Sequence, residues 1–163
     1  MTEPYNILIL CTGNSARSIL GEAAFNLLGE GQLRAYSAGS QPTGQPNPFA
    51  IALLNSKGID TAFARSKSWD EFALPDAPKM DFVFTVCASA AAEECPYWPG
   101  APMSAHWGLP DPAAVSGSQA EMALAFAQCW TSLERRVNAF LSLPIASLDT
   151  VSLRARLKSI GDA

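Results

Sequence analysis

Eight consecutive residues, Cys11-Thr12-Gly13-Asn14-Ser15-Ala16-Arg17-Ser18, bring together a thiol, a run of small turn-forming residues and a guanidinium. That combination suits nucleophilic attack on a tetrahedral oxyanion. Successive backbone N–H groups in a tight curl form an anion nest, and a helix N-terminus adds partial positive charge. Thr12, Gly13, Asn14, Ser15, Ala16 and Arg17 are positioned to supply that nest. Gly13 and Asn14 are the residue types that tolerate the left-handed backbone a curl requires. Arg17 offers a planar fork of donors for two oxygens of the anion. The same surroundings favour Cys11 as a thiolate, and the Ser18 hydroxyl can donate to its sulfur. Nucleophile, cradle and charge stabiliser thus fall within one loop.

Three further cysteines follow. Cys87 directly follows the apolar run Phe82-Val83-Phe84-Thr85-Val86, as Cys11 follows Ile7-Leu8-Ile9-Leu10. Adjacent strands lie about 4.8 Å apart and a disulfide needs Cα atoms within roughly 7 Å, so neighbouring strands would let these thiols meet. Cys95 lies eight residues beyond Cys87. A helical path would separate the two by about 12 Å, so bonding between them requires the run Ala88 to Glu94 to move. Cys129 sits between Phe126 and Leu133 on an apolar stripe and reads as core. Asp111 precedes Pro112 on a Pro/Gly-rich stretch, where a carboxylic acid can protonate a departing oxygen, although Asp-Pro is also an ordinary turn. His106, the single histidine, has no companions at metal-ligand spacing and reads as structural.

These groups need strands and helices to hold them. Ile7 to Leu10 is a continuous apolar run, as expected of a strand buried on both faces. Ile19, Leu20, Ala23, Ala24, Leu27 and Leu28 recur at helical spacing, and Gly29 and Gly31 stop that helix. Arg34 to Ala38 reads as a second strand and Asn47 to Ser56 as a second helix, with Phe49, Ala50, Leu53 and Leu54 inward and an end near Gly58. Phe82 to Val86 is a third strand and Met103 to Trp107 a weaker fourth. Ser118-Gln119-Ala120-Glu121 matches a capping box. The helix it opens carries Met122, Phe126, Cys129, Leu133, Val137 and Phe140 on one stripe, with Glu134, Arg135 and Arg136 outside, until Pro144 breaks it. A last helix carries Leu153, Leu157 and Ile160 and ends at Gly161. Strands alternating with helices predict an α/β fold: three layers, a four-stranded parallel sheet in the order 2-1-3-4, and helices on both faces.

The 163 residues fit one domain, 1–163, with a helical extension from about residue 142. The net charge of −4 argues against a nucleic-acid partner. No apolar stretch is long enough for a membrane span, and the acidic N-terminus does not resemble a signal peptide. A cytoplasmic setting follows, in which disulfides are rare unless catalytic or redox-sensing.

The Cys-x5-Arg-Ser run at the start of a small α/β chain resembles the low-molecular-weight tyrosine phosphatase superfamily, and in wording its arsenate reductase branch most closely. The likeness continues in Tyr36-Ser37-Ala38-Gly39, Asn47-Pro48, Thr85-Val86-Cys87, Cys95-Pro96, His106-Trp107-Gly108 and Asp111-Pro112. It spans about residues 5–141. The resemblance implies that Cys11 attacks arsenate, for which phosphate or sulfate are mimics, while Asp111 protonates the departing oxygen. It also implies that Cys87 is a second thiol, that Cys95 is a third which takes over the disulfide, and that no cofactor is bound. An external thiol restores the enzyme: thioredoxin, glutathione with glutaredoxin, or mycothiol. The alternative within the family is hydrolysis of phosphotyrosine, but Ala113-Ala114-Val115 stand where phosphatases carry aromatic residues to grip a substrate ring. A potassium ion supports the loop in some family reductases, and Asn14, Glu22 and Ser37 match three of its ligands. Lys67 stands near Ser66 in place of the expected aspartate, and its ammonium would repel the cation or replace it, so no metal dependence is expected.

Overall fold

The protein is described by a computed structural model over residues 4–87 and 102–162. Tyr5–Cys11 forms β1, the middle of a four-stranded sheet. It pairs in parallel with β2 (Leu33–Gly39) along its whole length, from Tyr5↔Leu33 to Cys11↔Gly39. On its other side it pairs with β3 (Phe82–Thr85), from Ile7↔Phe82 to Leu10↔Thr85. β3 in turn pairs with β4 (Met103–His106). The order β2-β1-β3-β4 agrees with the expected 2-1-3-4. The chain leaves β1 to build β2 on one side and returns to build β3 on the other. The loop after β1 therefore lies at the switch point, where a parallel sheet opens a crevice.

Ile7, Leu8, Ile9 and Leu10 are all buried because β1 is covered on both faces. Ile7, Ile9 and Cys11 join Leu33, Ala35, Phe82 and Phe84 in the larger core, while Leu8 and Leu10 join Ala38, Val83, Met80 and Phe72 in the smaller one. The larger core is roofed by α1 (Arg17–Leu28), α2 (Pro48–Ser56), α3 (Gln119–Leu141) and α4 (Thr150–Asp162). On the opposite face, among the described residues, the cover includes a four-residue 3₁₀ helix, Trp69–Phe72. Its N-cap Ser68 accepts from the Asp70 N–H, at 3.1 Å. No helix among the described residues is long and apolar enough to cross a membrane.

The capping box at Ser118 forms as expected, with Ser118 Oγ accepting from the Glu121 N–H at 3.2 Å. The C-terminal segment differs from expectation at two residues. Arg136, expected outside, is buried and donates to the carbonyls of Trp107 and Gly161. Gly161, expected to end the last helix, lies inside α4, where it lets the helix backbone approach His106 and Trp107. Trp107 sits in the aromatic centre of the larger core, stacked on Phe84 at 4.0 Å between ring centroids and near Phe25 and Phe140.

Gly39, at the end of β2, is packed against the turn that follows β1. A Cβ there would collide with the Thr12 carbonyl oxygen and lie 2.8 Å from that of Cys11 and 3.0 Å from the Asn14 nitrogen. All three neighbours are backbone, so none can move cheaply. Gly39→Ala is expected to cost about 1–3 kcal/mol, as overpacking does. The thermal midpoint should fall by roughly 2–4 °C for each kcal/mol; an unchanged midpoint in a melting experiment would show that the turn yields freely.

Candidate active site

The curl after β1 is shaped from outside, through its carbonyl groups. The Thr12 carbonyl accepts from Gln41 N–H at 2.9 Å, that of Gly13 from Thr43 N–H at 3.0 Å, and that of Ser15 from Asn47 N–H at 2.8 Å. Ser66 Oγ also donates to the Gly13 carbonyl, at 3.1 Å. With the carbonyls engaged by this collar, the N–H groups are turned to the other side. Among the described residues those of Gly13, Ser15, Ala16 and Arg17 have no intramolecular partner, and α1 begins without a side-chain cap. Such a set of donors at a helix start is suited to an anion. Asn14 adopts the expected left-handed conformation, with φ of 46°, whereas Gly13 has no positive φ. Gly13 instead fits closely under Thr43, whose Cγ2 would lie 3.3 Å from an added Cβ. An open cleft of about 530 Å³ lies beside the loop, lined by Ser15 and by residues Thr43, Gly44, Gln45, Pro46, Asn47 and Pro48.

The sulfur of Cys11 is buried and receives directed contacts. Asn14 N–H donates to it at 3.2 Å, and Ser18 Oγ lies 2.9 Å away. Ser18 Oγ already accepts from Asn14 Nδ2 at 2.8 Å, which leaves the hydroxyl proton for Cys11. Both contacts stabilise negative charge on the sulfur, whether it attacks or departs. Cys87 is buried beside the loop. Its Sγ accepts from Thr12 N–H at 3.3 Å and lies 3.5 Å from Thr12 Oγ1. Val86 N–H donates to the Leu10 carbonyl at 2.9 Å, so the β1–β3 pairing continues up to the two cysteines.

Arg17 stands at the mouth of the curl, one fifth exposed. Nη1 donates to the Leu109 carbonyl at 3.0 Å, and Nη2 is 3.7 Å from Asp111 Oδ2. Asp111 is open to solvent, and its Oδ1 caps the short turn Pro112–Ala114 by accepting from Ala113 N–H at 2.9 Å. Pro112, Ala113 and Ala114 of this turn carry no aromatic ring. The guanidinium therefore joins the anion cradle to the arm that carries the carboxylate.

Behind the loop lies a buried polar network. Asn14 Oδ1 accepts from Lys67 N–H at 2.9 Å, and Asn14 Nδ2 also donates to Ser37 Oγ at 3.0 Å. Ser37 passes its proton to Glu22 Oε1 at 2.5 Å. Lys67 Nζ lies 3.7 Å from that same oxygen and donates to the Arg65 carbonyl at 3.0 Å. Burial pushes the Glu22 carboxyl up and the Lys67 ammonium down, and the opposite charge offsets part of each shift. Wherever the shared proton resides, the pair carries no net charge to attract a metal ion. Ser37 and the Asn14 oxygen are already committed, so these residues do not fit a potassium ion.

Cys11, Arg17, Ser18, Cys87 and Asp111 thus meet at one end of the sheet, around the loop Thr12 to Ala16. Cys95 lies outside the described residues. The collar at residues 41–47 and the Leu109 carbonyl were not foreseen. Both act through backbone, which leaves no residue-type signal. His106 is exposed and its Nδ1 pairs with Thr85 Oγ1 at 2.8 Å, away from the cradle's contacts.

Residues 6–152 match the family described as low molecular weight phosphotyrosine protein phosphatase. The chain is 36% identical over 135 residues to an arsenate reductase of Bacillus subtilis, covering 82% of this chain and 93% of that one. It is 34% identical over 134 residues to an arsenate reductase of Shouchella clausii, with the same two shares. Among solved structures, the arsenate reductase of Archaeoglobus fulgidus superposes with a TM-score of 0.60 at 25% identity, over 81% of this chain and 98% of that one.

Cys129 is separated from this chemistry by its surroundings. Burial pushes its thiol up to about 12, more than nearby Arg17 and Arg136 can offset. It should remain a thiol, and unreactive, below that pH. In native protein treated with iodoacetamide at pH 8, mass spectrometry is expected to find Cys129 unmodified while Cys11 is alkylated. Alkylation of both at similar rates would mean that Cys129 is reachable.

Proposed function

The chain belongs to the low molecular weight phosphotyrosine protein phosphatase family, and on that premise we propose that it reduces arsenate to arsenite through Cys11 and a thiol–disulfide relay. One observation carries the choice of reduction over hydrolysis: the Cys87 sulfur is hydrogen-bonded to the residue next to Cys11, at 3.3 Å from Thr12 N–H. Phosphate ester hydrolysis has no use for a second thiol. Reduction of arsenic(V) to arsenic(III) requires two electrons, which two thiols supply.

In the first step the loop N–H groups and Arg17 hold arsenate, and Cys11 Sγ attacks arsenic. A sulfur–arsenic bond forms, an arsenic–oxygen bond breaks, and Asp111 protonates the departing oxygen, which leaves as water. Ser18 and Asn14 stabilise the sulfur that must attack now and be attacked next. Cys87, as a thiolate, then attacks Cys11 Sγ. The sulfur–sulfur bond forms, and the electron pair of the sulfur–arsenic bond stays on arsenic, which departs as arsenite. Cys95, as a thiolate, attacks Cys87 Sγ in turn; the Cys87–Cys95 bond forms, the Cys11–Cys87 bond breaks, and Cys11 leaves as a thiolate. An external thiol system, of thioredoxin, glutathione–glutaredoxin or mycothiol type, returns the cysteines to thiols. Free thiols of this kind suit the reducing cytoplasm. Lys67 takes the place of a supporting cation behind the loop. Ala113, Ala114 and Val115 after Asp111 offer no aromatic ring to grip phosphotyrosine, so hydrolysis of aryl phosphates is at most a weak side activity.

Arsenite production should be measured with the three thiol systems in parallel. Cys87→Ala is expected to abolish steady-state turnover, Cys95→Ala to abolish it with thioredoxin, and Asp111→Asn to slow it by about 10²–10⁴-fold. Undiminished turnover in Cys87→Ala would sink the relay and make an external thiol the second nucleophile. Replacing sodium by potassium at equal ionic strength should leave turnover unchanged; a severalfold rise would show that Lys67 does not replace the ion.

A further inference from the structure

One buried cation has no part in the steps above. Arg136, on α3, is 6% exposed and pairs with no carboxylate among the described residues. Its Nη1 donates to the Trp107 carbonyl at 2.7 Å and its Nη2 to the Gly161 carbonyl at 3.3 Å, while its Nε is buried without a partner among the described residues. Burial, and then the neighbouring Arg135 charge, push its guanidinium below the usual range. A charge held inside at that cost needs compensation. The carboxyl end of α4 supplies part of it through the partial negative charge of a helix C-terminus. The Trp107 carbonyl supplies a second acceptor dipole.

That carbonyl lies at the root of the arm that carries Asp111. Trp107 N–H donates to the Thr85 carbonyl at 2.7 Å, and its indole N–H to the Leu157 carbonyl of α4 at 2.9 Å. Two residues on, Leu109 N–H donates to the Val86 carbonyl at 3.0 Å, and the Leu109 carbonyl receives Arg17. Asp111 follows after Pro110. α4 reaches the same root so closely that a Cβ on Gly161 would lie 2.6 Å from the His106 carbonyl and 2.7 Å from Trp107 Cδ1. Arg136 thus closes a ring of contacts between α3, α4 and the first residue of the arm.

We propose that Arg136 is a positioning residue for the reaction. By fixing the Trp107 carbonyl it sets where the arm begins, and hence where the Leu109 carbonyl holds Arg17 and where Asp111 meets the departing oxygen. α4 becomes part of the support of the site, although the family match ends at residue 152, within its first turn. The inference rests on the assignment of Asp111 as general acid made above.

A double-mutant cycle in the full chain tests it, with Arg136→Met and Asp111→Asn made singly and together and single-turnover arsenite formation as the readout. Arg136→Met is expected to slow the enzyme that retains Asp111 about tenfold, the scale of a lost charged hydrogen bond. In the Asp111→Asn background it should slow the reaction by less than about twofold, because the residue it positions is gone. The exposed neighbour Arg135→Met should change neither rate. Equal slowing in both backgrounds would overturn the proposal, since a loss of folded protein acts on both alike. Arg136→Lys keeps a charge and a donor and should recover part of the rate; it carries the same cycle if Arg136→Met does not fold. The proteins are also assayed on phenyl phosphate, whose poor leaving group needs the same acid. Wild type that makes no arsenite, with the cycle intact on phenyl phosphate, would sink the reductase reading and leave positioning standing. A cycle missing from whichever substrate turns over would sink positioning alone, and turnover of neither would sink both.

Discussion

The side chain of Asn14 is wholly buried and spends its amide on three elements at once, while its own backbone holds the φ of 46° that the curl requires. Its oxygen takes the Lys67 N–H from the segment leading to the 3₁₀ helix, and its nitrogen reaches Ser18 on α1 and Ser37 on β2. The direction of those bonds decides the rest. Because Ser18 accepts from Asn14, its proton is left for the Cys11 sulfur. Because Ser37 accepts from Asn14, its proton goes to Glu22, which Lys67 then balances. One amide thereby orders two hydroxyl protons and the backbone nest, and chains of this kind polarise one another. Asp in its place would lack the donor pair, and Gly would keep the backbone but leave both serines free to turn.

Much of this was readable from residue types. Ile7 to Leu10 announced a strand buried on both faces, and the thiol and guanidinium beside it marked the crevice, since strand, curl and helix follow one another without spare residues. The position of Cys87 was readable for the same reason: it follows β3 as Cys11 follows β1, and parallel neighbours bring like ends together. Part of what escaped the sequence acts through backbone. The collar on Thr12, Gly13 and Ser15, and the Leu109 anchor of Arg17, are backbone contacts that any residue can make. The short 3₁₀ helix Trp69–Phe72 is too brief to show a period.

Arg136 and Gly161 teach a different lesson. Arg136 lies three residues after Leu133 and four before Phe140, on the edge of the apolar stripe of α3, yet its charge argued for solvent. Tertiary partners reversed that preference, because two carbonyls at the ends of other elements needed a donor. Glycine often ends a helix, which makes Gly161 a natural stop by residue type. It serves instead where backbone meets backbone, and only the folded neighbours, His106 and Trp107, reveal why no side chain fits.

The collar has a consequence for how such a site changes over evolutionary time. Gln41, Thr43 and Asn47 hold the loop through their N–H groups, so the side chains of Gln45 and Pro46 between them are released from any duty to the cradle. With Thr43, Gly44 and Asn47 they line the open cleft beside it. Substitutions on that rim can alter what approaches the thiol without touching the geometry that activates it. An anion-holding turn can therefore stay fixed while its rim changes, and descendants of a single ancestor can part company in substrate while keeping their nucleophile.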